Sequence, residues 1–264
     1  MRYGNKIILA AHRGDRKNFP ENTMPAFESA VKFGVDMVEL DVHMTSDGEL
    51  VIIHDRNTSR TTGFDGFTNE MTFTKIKELE IDYVFSNKHE NTSIPSVKEF
   101  IDFIKNTNVL INWELKDYPC EVGDEFAFCA ADKLISMIID SGLAERSIFD
   151  SFSDRVLEQV YLKHGHLIPL HGQGIYNCQK SNDKAETKQE ELYDWCCLYP
   201  NPNGTAAMDY PKNFEYCIQN SILPCVCVKD DLDAYKKYIE LGCRMFTSND
   251  IYEADRILRH LKVR

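Results

Sequence analysis

Nine short apolar runs punctuate this chain, and many are separated by segments of helical periodicity. That alternation constrains the fold more than any other feature. The runs are KIILAAH, DMVELDVHM, ELVIIHD, VLINWELK, SIFDSF, LIPLHG, WCCLY, ILPCVCV and CRMFTS; the amphipathic segments include SVKEFIDFIKN, DEFAFCAADKLISMIID, SDRVLEQVYLKHG and DLDAYKKYIELG. Strand and helix in alternation predict an α/β protein, and 264 residues match the ~250 usual for a (β/α)8 TIM barrel. Nine runs for eight barrel places leave one excursion. ELVIIHD fits that part, because only TSDG separates it from the preceding run, which is turn chemistry for a hairpin and too short for a helical crossover. The chain, residues 1–264, reads as a single barrel domain with a small inserted subdomain at about residues 55–93. There the sequence turns polar and rich in Thr, Asn and Gly, with one weak helix signal at TFTKIKELE. The insertion is expected to lie over the barrel mouth and to add little to the main core. NCQKSNDKAETKQEE reads as a surface loop with a short helix.

Side chains alternate faces along a strand, so the parity of charged residues is informative. In MVELDVH, Glu39, Asp41 and His43 share one face and Val38, Leu40 and Val42 the other; in INWELKD, Asn112, Glu114 and Lys116 oppose Ile111, Trp113 and Leu115. Two strands therefore project polar rows into the barrel. Converging carboxylates repel one another and lose solvation unless a positive charge is supplied. Ligation by the oxygens of Glu39, Asp41 and Glu114 favours one hard divalent cation, Mg2+ or Ca2+, over zinc; the alternative is a set of carboxylates at frayed strand ends, paired with Arg13 and Lys116. His12 and His54 end strands beside these carboxylates and can exchange protons near neutral pH. His43, His89, His164, His166, His171 and His260 lack that context and are expected to be structural. Asp55 can orient His54 or cap the following loop. With Arg13 and Lys116 as counter-charges and a divalent ion bound, the site carries one net positive charge, suited to a monoanion such as a phosphodiester.

Thirty Lys and Arg stand against 42 Asp and Glu, an excess that disfavours nucleic acid and anionic lipid surfaces. The small molecule is thus the expected partner, and nothing in the sequence speaks to oligomeric state. No stretch approaches the ~20 apolar residues of a membrane span, and IILAA is too brief for a secretory signal; a soluble, cytoplasmic protein is expected. The nine cysteines read as core thiols of a reducing compartment. A thiolate zinc site is disfavoured, because CVC and CC have the wrong spacing and no companion pair.

AHRG, PENTMPAFESAVKFGVDMVELDVHMTSDGELVIIHD and NWELK together resemble the glycerophosphodiester phosphodiesterase family, within the superfamily of phospholipase-C-like phosphodiesterases. HRG, ENT, ExD, the T-x-DG turn and HD occur in order with sensible spacing, and SIPSVKEFI and FDSFS extend the likeness. The resemblance implies a (β/α)8 barrel with an inserted subdomain and metal-assisted hydrolysis of glycerophosphodiesters to glycerol 3-phosphate and an alcohol. It implies His12 and His54 as the acid/base pair, Glu39, Asp41 and Glu114 as metal ligands, Arg13 as a phosphate contact, and Glu21 and Lys116 as supporting groups in substrate binding. The C-terminal half departs from the pattern: members usually carry a Trp-containing strand near PCVCVKD and a Thr-Asp-x-Pro turn near TSND. Trp113, Phe152 or Tyr199 are the candidates to replace the aromatic contact with glycerol. Alternative readings are a lysophospholipase D-like enzyme on the same barrel and a non-catalytic phosphate-ligand-binding barrel.

Overall fold

The computed structural model describes residues 6–81, 92–175, 183–198, 210–228 and 230–264. Among them, nine strands form one sheet: β1 (Ile8–His12), β2 (Met37–Met44), β3 (Leu50–Ile52), β4 (Leu110–Leu115), β5 (Ser147–Ser151), β6 (Leu170–Gln173), β7 (Trp195–Cys197), β8 (Leu223–Val228) and β9 (Met245–Ser248). Eight of these run parallel and close into a ring, in the order β1, β2, β4, β5, β6, β7, β8, β9. Closure depends on β1 pairing with both β2 and β9, which sets His12 opposite Glu39. The fold is a (β/α)8 barrel, as the alternation of the sequence indicates. β3 is the ninth run, and it pairs antiparallel with the end of β2. Its hairpin is built by the expected turn: Thr45 Oγ1 donates to Asp47 Oδ1 at 2.6 Å, and Gly48 takes φ 85°.

Strand parity divides the apolar residues into two cores. Leu9, Val38, Leu40, Ile111, Trp113 and Phe149 point outward and pack with helix residues such as Phe27, Phe100 and Leu134. Ile8, Ala10, Met37, Ile148, Trp195 and Met245 fill the barrel interior. A one-residue slip would exchange the two sets, which fixes the register. Trp113 belongs to the outer core, where its indole N–H donates to Ser147 Oγ at 2.9 Å and its ring meets Phe100 edge-on. It therefore does not line the mouth.

The segment between β3 and β4 contains short helices at Ser59–Thr62 and Phe73–Lys77 before the helix Val97–Ile104. Ile76, Leu79, Ile81 and Ile94 pack against Val51 and Ile53 in a cluster separate from both barrel cores. The polar composition thus conceals a small apolar patch that fastens the segment to β3. Cys196, Cys197, Cys217, Cys225 and Cys243 are buried, but Cys120 and Cys129 are exposed. This corrects the reading of all nine as core thiols, since composition cannot tell which helix face a thiol takes; Cys178 lies outside the described residues. No helix among the described residues is long and apolar enough to cross a membrane.

Gly14 follows β1 at φ 78°, a left-handed conformation, and packs against the helix Met24–Phe33. A Cβ there would lie 2.8 Å from the Ala26 carbonyl carbon and 2.9 Å from its oxygen. Backbone cannot yield as a side-chain tip can, and the positive φ adds strain of about 1–3 kcal/mol for a residue with a Cβ. Gly14→Ala is expected to lower the urea midpoint by at least that equivalent; an unchanged midpoint would show that the turn relaxes freely.

Candidate active site

β1 ends at His12 and the chain turns at once. Arg13 adopts a left-handed φ of 59°, uncommon for a residue with a side chain, and its amide N–H donates to Glu39 Oε2 at 2.8 Å. The loop returns through Glu21, Asn22 and Thr23, each with a separate task. Glu21 accepts from Arg13 Nη1 at 2.8 Å and Arg60 Nη2 at 2.6 Å, and its other oxygen lies 2.8 Å from Arg16 Nη2. Asn22 donates from Nδ2 to Asp41 Oδ2 at 2.7 Å. Thr23 caps the helix Met24–Phe33 by accepting from the Ala26 amide.

Glu39 and Asp41 stand on β2, and Glu114 faces Asp41 from β4. One oxygen from each lies within 4.8 Å of the others, and all three residues are buried. Lys116 Nζ sits 3.2 Å from Asp41 Oδ1 and hydrogen-bonds Glu114 Oε1. Arg13 Nε is 3.1 Å from Asp41 Oδ2, though not aligned as a hydrogen bond. Burial, then the charges of Asp41 and Glu114, push the Glu39 carboxyl well above the usual range. Burial likewise raises Glu114 to about 8, with Lys116 opposing. At Asp41 burial is outweighed by Lys116 and Arg13, which hold it far below its ordinary value. Glu39 Oε1 and Asp41 Oδ1 accept no hydrogen bond. An oxygen of Glu39 with no hydrogen bond and one of Asp41 with only the ion pair to Lys116, beside carboxyls that resist ionising together, fit a hard divalent cation.

The two histidines expected at the mouth are both there. His12 Nδ1 lies 2.5 Å from Asn249 Oδ1; a carbonyl oxygen only accepts, so Nδ1 carries the proton and Nε2 keeps its lone pair. Arg16 Nη1, 3.4 Å from the same Nδ1, would require the other tautomer, and the shorter contact decides. His12 Nε2 is 4.0 Å from Glu39 Oε2. His54 Nδ1 donates to Asp55 Oδ1 at 2.6 Å, and Asp55 is in turn held by Arg60. Asp55 therefore orients His54, the first of the two options the sequence allows. Burial lowers the pKa of both histidines, reinforced at His12 by Arg13 and opposed at His54 by Asp55.

Asn249, Arg16 and Arg60 had no signal in the sequence, whereas His43 stood on the inner face by parity and Phe152 was one of the candidate glycerol contacts. Asn249 reaches His12 across the barrel closure. Arg16 and Arg60 flank Glu21. His43, 2.6 Å from Asp117 Oδ1, also lies 3.2 Å from the His54 carbonyl oxygen and steadies that backbone. Phe152 lies under Lys116, whose Nζ is 5.0 Å from the ring centroid. Tyr199 and His89 lie outside the described residues.

Residues 12–196 match the model of the glycerophosphoryl diester phosphodiesterase family. The chain belongs to that family. It is 39% identical over 166 residues to a glycerophosphodiester phosphodiesterase of Caldanaerobacter subterraneus subsp. tengcongensis, covering 61% of this chain and 65% of that protein. It is 34% identical over 116 residues to human glycerophosphodiester phosphodiesterase 1, covering 43% and 35% respectively. The match thus spans less than two thirds of either relative. The fold resembles an Oleispira antarctica phosphodiesterase solved with the product sn-glycerol-3-phosphate, at TM-score 0.79 and 21% identity over 98% of this chain and 99% of that one. A glycerophosphodiester phosphodiesterase from Parabacteroides distasonis gives TM-score 0.77 and 20% identity over 98% and 100%. All eight residues singled out in the sequence, His12, Arg13, Glu21, Glu39, Asp41, His54, Glu114 and Lys116, fall within the stretch that the family matches.

Burial alone would raise Glu21, but the hydrogen bond from Arg60 and the charges of Arg13 and Arg16 bring its pKa from 4.5 down to about 2. A depressed folded-state pKa stabilises above the unfolded value and loses that contribution as pH falls through the folded one. The stability difference between the parent and Glu21→Gln is therefore expected to be largest above pH 4.5, on the order of 3 kcal/mol, and to shrink as pH drops to about 2. Urea titrations of both proteins across that window check it; a gap independent of pH would mean that the arginines do not act through the charge of Glu21.

Proposed function

We propose that this protein hydrolyses glycerophosphodiesters to glycerol 3-phosphate and an alcohol. His12 and His54 exchange the protons, Glu39, Asp41 and Glu114 hold one divalent cation, Mg2+ or Ca2+, and Arg13, Glu21 and Lys116 bind and organise the phosphate end. The observation that carries the reading is the pair of imidazoles, held at Nδ1 by Asn249 and Asp55, beside three buried, mutually repelling carboxylates. Family membership and the product named for the Oleispira antarctica structure support the substrate class.

The bound cation supplies charge to offset the negative charge that develops on phosphorus-bound oxygens. Arg13 and Lys116 contribute to the same end and favour the transition state over the monoanionic substrate. Both histidines are held neutral by burial, so either can take a proton at Nε2 from the nucleophile, water or the neighbouring glycerol hydroxyl. The other must first take up a proton from solvent at Nε2, which it gives to the departing alkoxide, and the proton gained by the base returns to solvent. Asp55 stabilises the cationic form of His54 through Nδ1. Asn249 fixes the ring of His12. Glu21 ties Arg13 to Arg16 and to Arg60, which comes from the segment after β3. Residues 1–264 act as one barrel domain, and the segment at about 55–93 shapes its mouth.

Chelation is expected to abolish turnover of glycerophosphocholine, and Mg2+, Ca2+ or Mn2+ to restore it. Glu39→Gln and Glu114→Gln should weaken ion binding, measured by calorimetry, more than they lower the melting temperature. Full activity in chelator, with no ion in the purified protein, would sink the mechanism.

His12→Ala and His54→Ala should each reduce turnover by about 10²–10⁴-fold with the fold retained. A nitrophenyl phosphodiester, whose leaving group needs little protonation, should rescue the variant lacking the acid and not the one lacking the base. Near-normal turnover of a natural substrate by both variants would make the histidines structural.

A further inference from the structure

Across the ring from β2, strands β6, β7 and β8 carry a second cluster that the proposed hydrolysis does not use. His171 on β6, Cys197 on β7 and Cys225 on β8 all point inward, and one ligand atom of each lies within 4.8 Å of the others. Their exposures of 2%, 3% and 1% leave no access to bulk water. Cys197 and Cys225 are direct neighbours in parallel register. His171 Nε2 is 3.1 Å from Cys225 Sγ.

The surroundings prepare the imidazole for a ligand. Asp150 Oδ2 lies 2.9 Å from His171 Nδ1, outside hydrogen-bond alignment. That carboxylate is itself fixed by Asn112 Nδ2 at 3.0 Å and by Gln173 Nε2 at 2.8 Å. A carboxylate at Nδ1 favours the tautomer that leaves Nε2 free toward the sulfurs, the arrangement that accompanies metal-bound histidines. A buried polar chain with no outlet to solvent is otherwise costly: valine or leucine would fill the same space without desolvating an Asp and a His. Metal binding displaces protons from such groups, and the cluster then offers a soft cation two thiolates and an imidazole, with Asp150 beside the ring.

We propose that His171, Cys197 and Cys225 form a binding site for one thiophilic d10 cation, Zn2+ or Cu+, with Asp150 as the group that orients His171. Sulfur and imidazole donors select such ions against Mg2+ and Ca2+, whereas the carboxylates of Glu39, Asp41 and Glu114 select the reverse. The two centres therefore differ in hardness, and each prefers a different class of ion. Bound there, the cation pins β6, β7 and β8 together at the barrel centre. The local motifs CC and CVC do not reveal the site, because its three ligands come from three strands; Cys227 shares the inner face of β8 with Cys225 but is not among them.

The test uses the full-length protein purified under reducing, oxygen-free conditions. After removal of metal, titration with Co2+ should give a near-ultraviolet sulfur-to-cobalt charge-transfer band that saturates at one equivalent, and Zn2+ or Cu+ should displace it. The band should persist in Glu114→Gln, which alters the carboxylate centre, and in Cys120→Ser/Cys129→Ser, which removes the exposed thiols among the described residues. It should vanish in Cys197→Ser and in Cys225→Ser, while Asp150→Asn should keep the band and weaken Zn2+ binding about 10–100-fold. Zn2+ or Cu+ should also raise the melting temperature of the parent. Absence of the band in the folded parent, or its loss only with the exposed thiols, would overturn the proposal without recourse to any variant that misfolds. So would mass spectrometry showing a Cys197–Cys225 disulfide on oxidation in a protein that retains neither ion, which would make the pair a redox device.

Discussion

Three carboxylates cannot share a buried barrel mouth as free anions. Each ion removed from water costs several kcal/mol even after relaxation, and Glu39, Asp41 and Glu114 add mutual repulsion. Much of the local backbone answers that constraint. The left-handed Arg13 brings both its amide and its guanidinium onto Glu39 and Asp41. Lys116, just beyond β4, reaches Asp41 and Glu114. Asn22, again at positive φ, turns its amide onto Asp41. Even so, Glu39 Oε1 and Asp41 Oδ1 accept no hydrogen bond, so the protein's own groups offset the repulsion only in part. That shortfall is the physical ground for the cation proposed at this site.

Barrel closure then decides which groups meet this charge. The pairing of β1 with β2 sets His12 opposite Glu39, and the pairing of β1 with β9 brings Asn249, just past the end of β9, to the His12 ring. On the other flank, the β2–β3 hairpin returns the chain to the mouth so that His54 and Asp55 arrive beside the same carboxylates. One histidine is thus fixed by long-range topology and the other by its sequence neighbour.

That difference explains what could be read from the sequence. Period-two parity placed Glu39, Asp41, Glu114 and Lys116 on the inner face, because a strand offers only two faces and the apolar residues claimed the other. The turn TSDG marked β3 as the antiparallel excursion, because a helical crossover does not fit in four residues. Asn249 was illegible, since it meets His12 only through ring closure and belongs to no periodic pattern. Arg60 was hidden in a segment whose polarity suggested a loose excursion, whereas Ile76, Leu79, Ile81 and Ile94 fasten that segment to β3. Trp113, one candidate for a glycerol contact, falls on the outward parity and is committed to the helix layer.

The same closure separates the barrel wall into two chemical territories. β1, β2 and β4 carry oxygen donors, the arginine turn and a histidine, and the motifs that resemble the family lie mainly there. β6, β7 and β8 carry histidine, cysteine and glutamine inward, and β8 stands where the family pattern has a Trp-containing strand. Loops and strands of a barrel can vary around a fixed reaction because each strand contributes its own inward residues to a common centre. The match to the family ends at Cys196, within β7 and one residue before the first thiol of the inward cluster. His171 on β6 lies inside that match and both thiols, Cys197 and Cys225, lie beyond it, on the wall that does not hold the carboxylates. A soft donor set there leaves the carboxylates and the hydrolysis proposed for them undisturbed, because ions sort between sulfur and oxygen donors by hardness rather than by position.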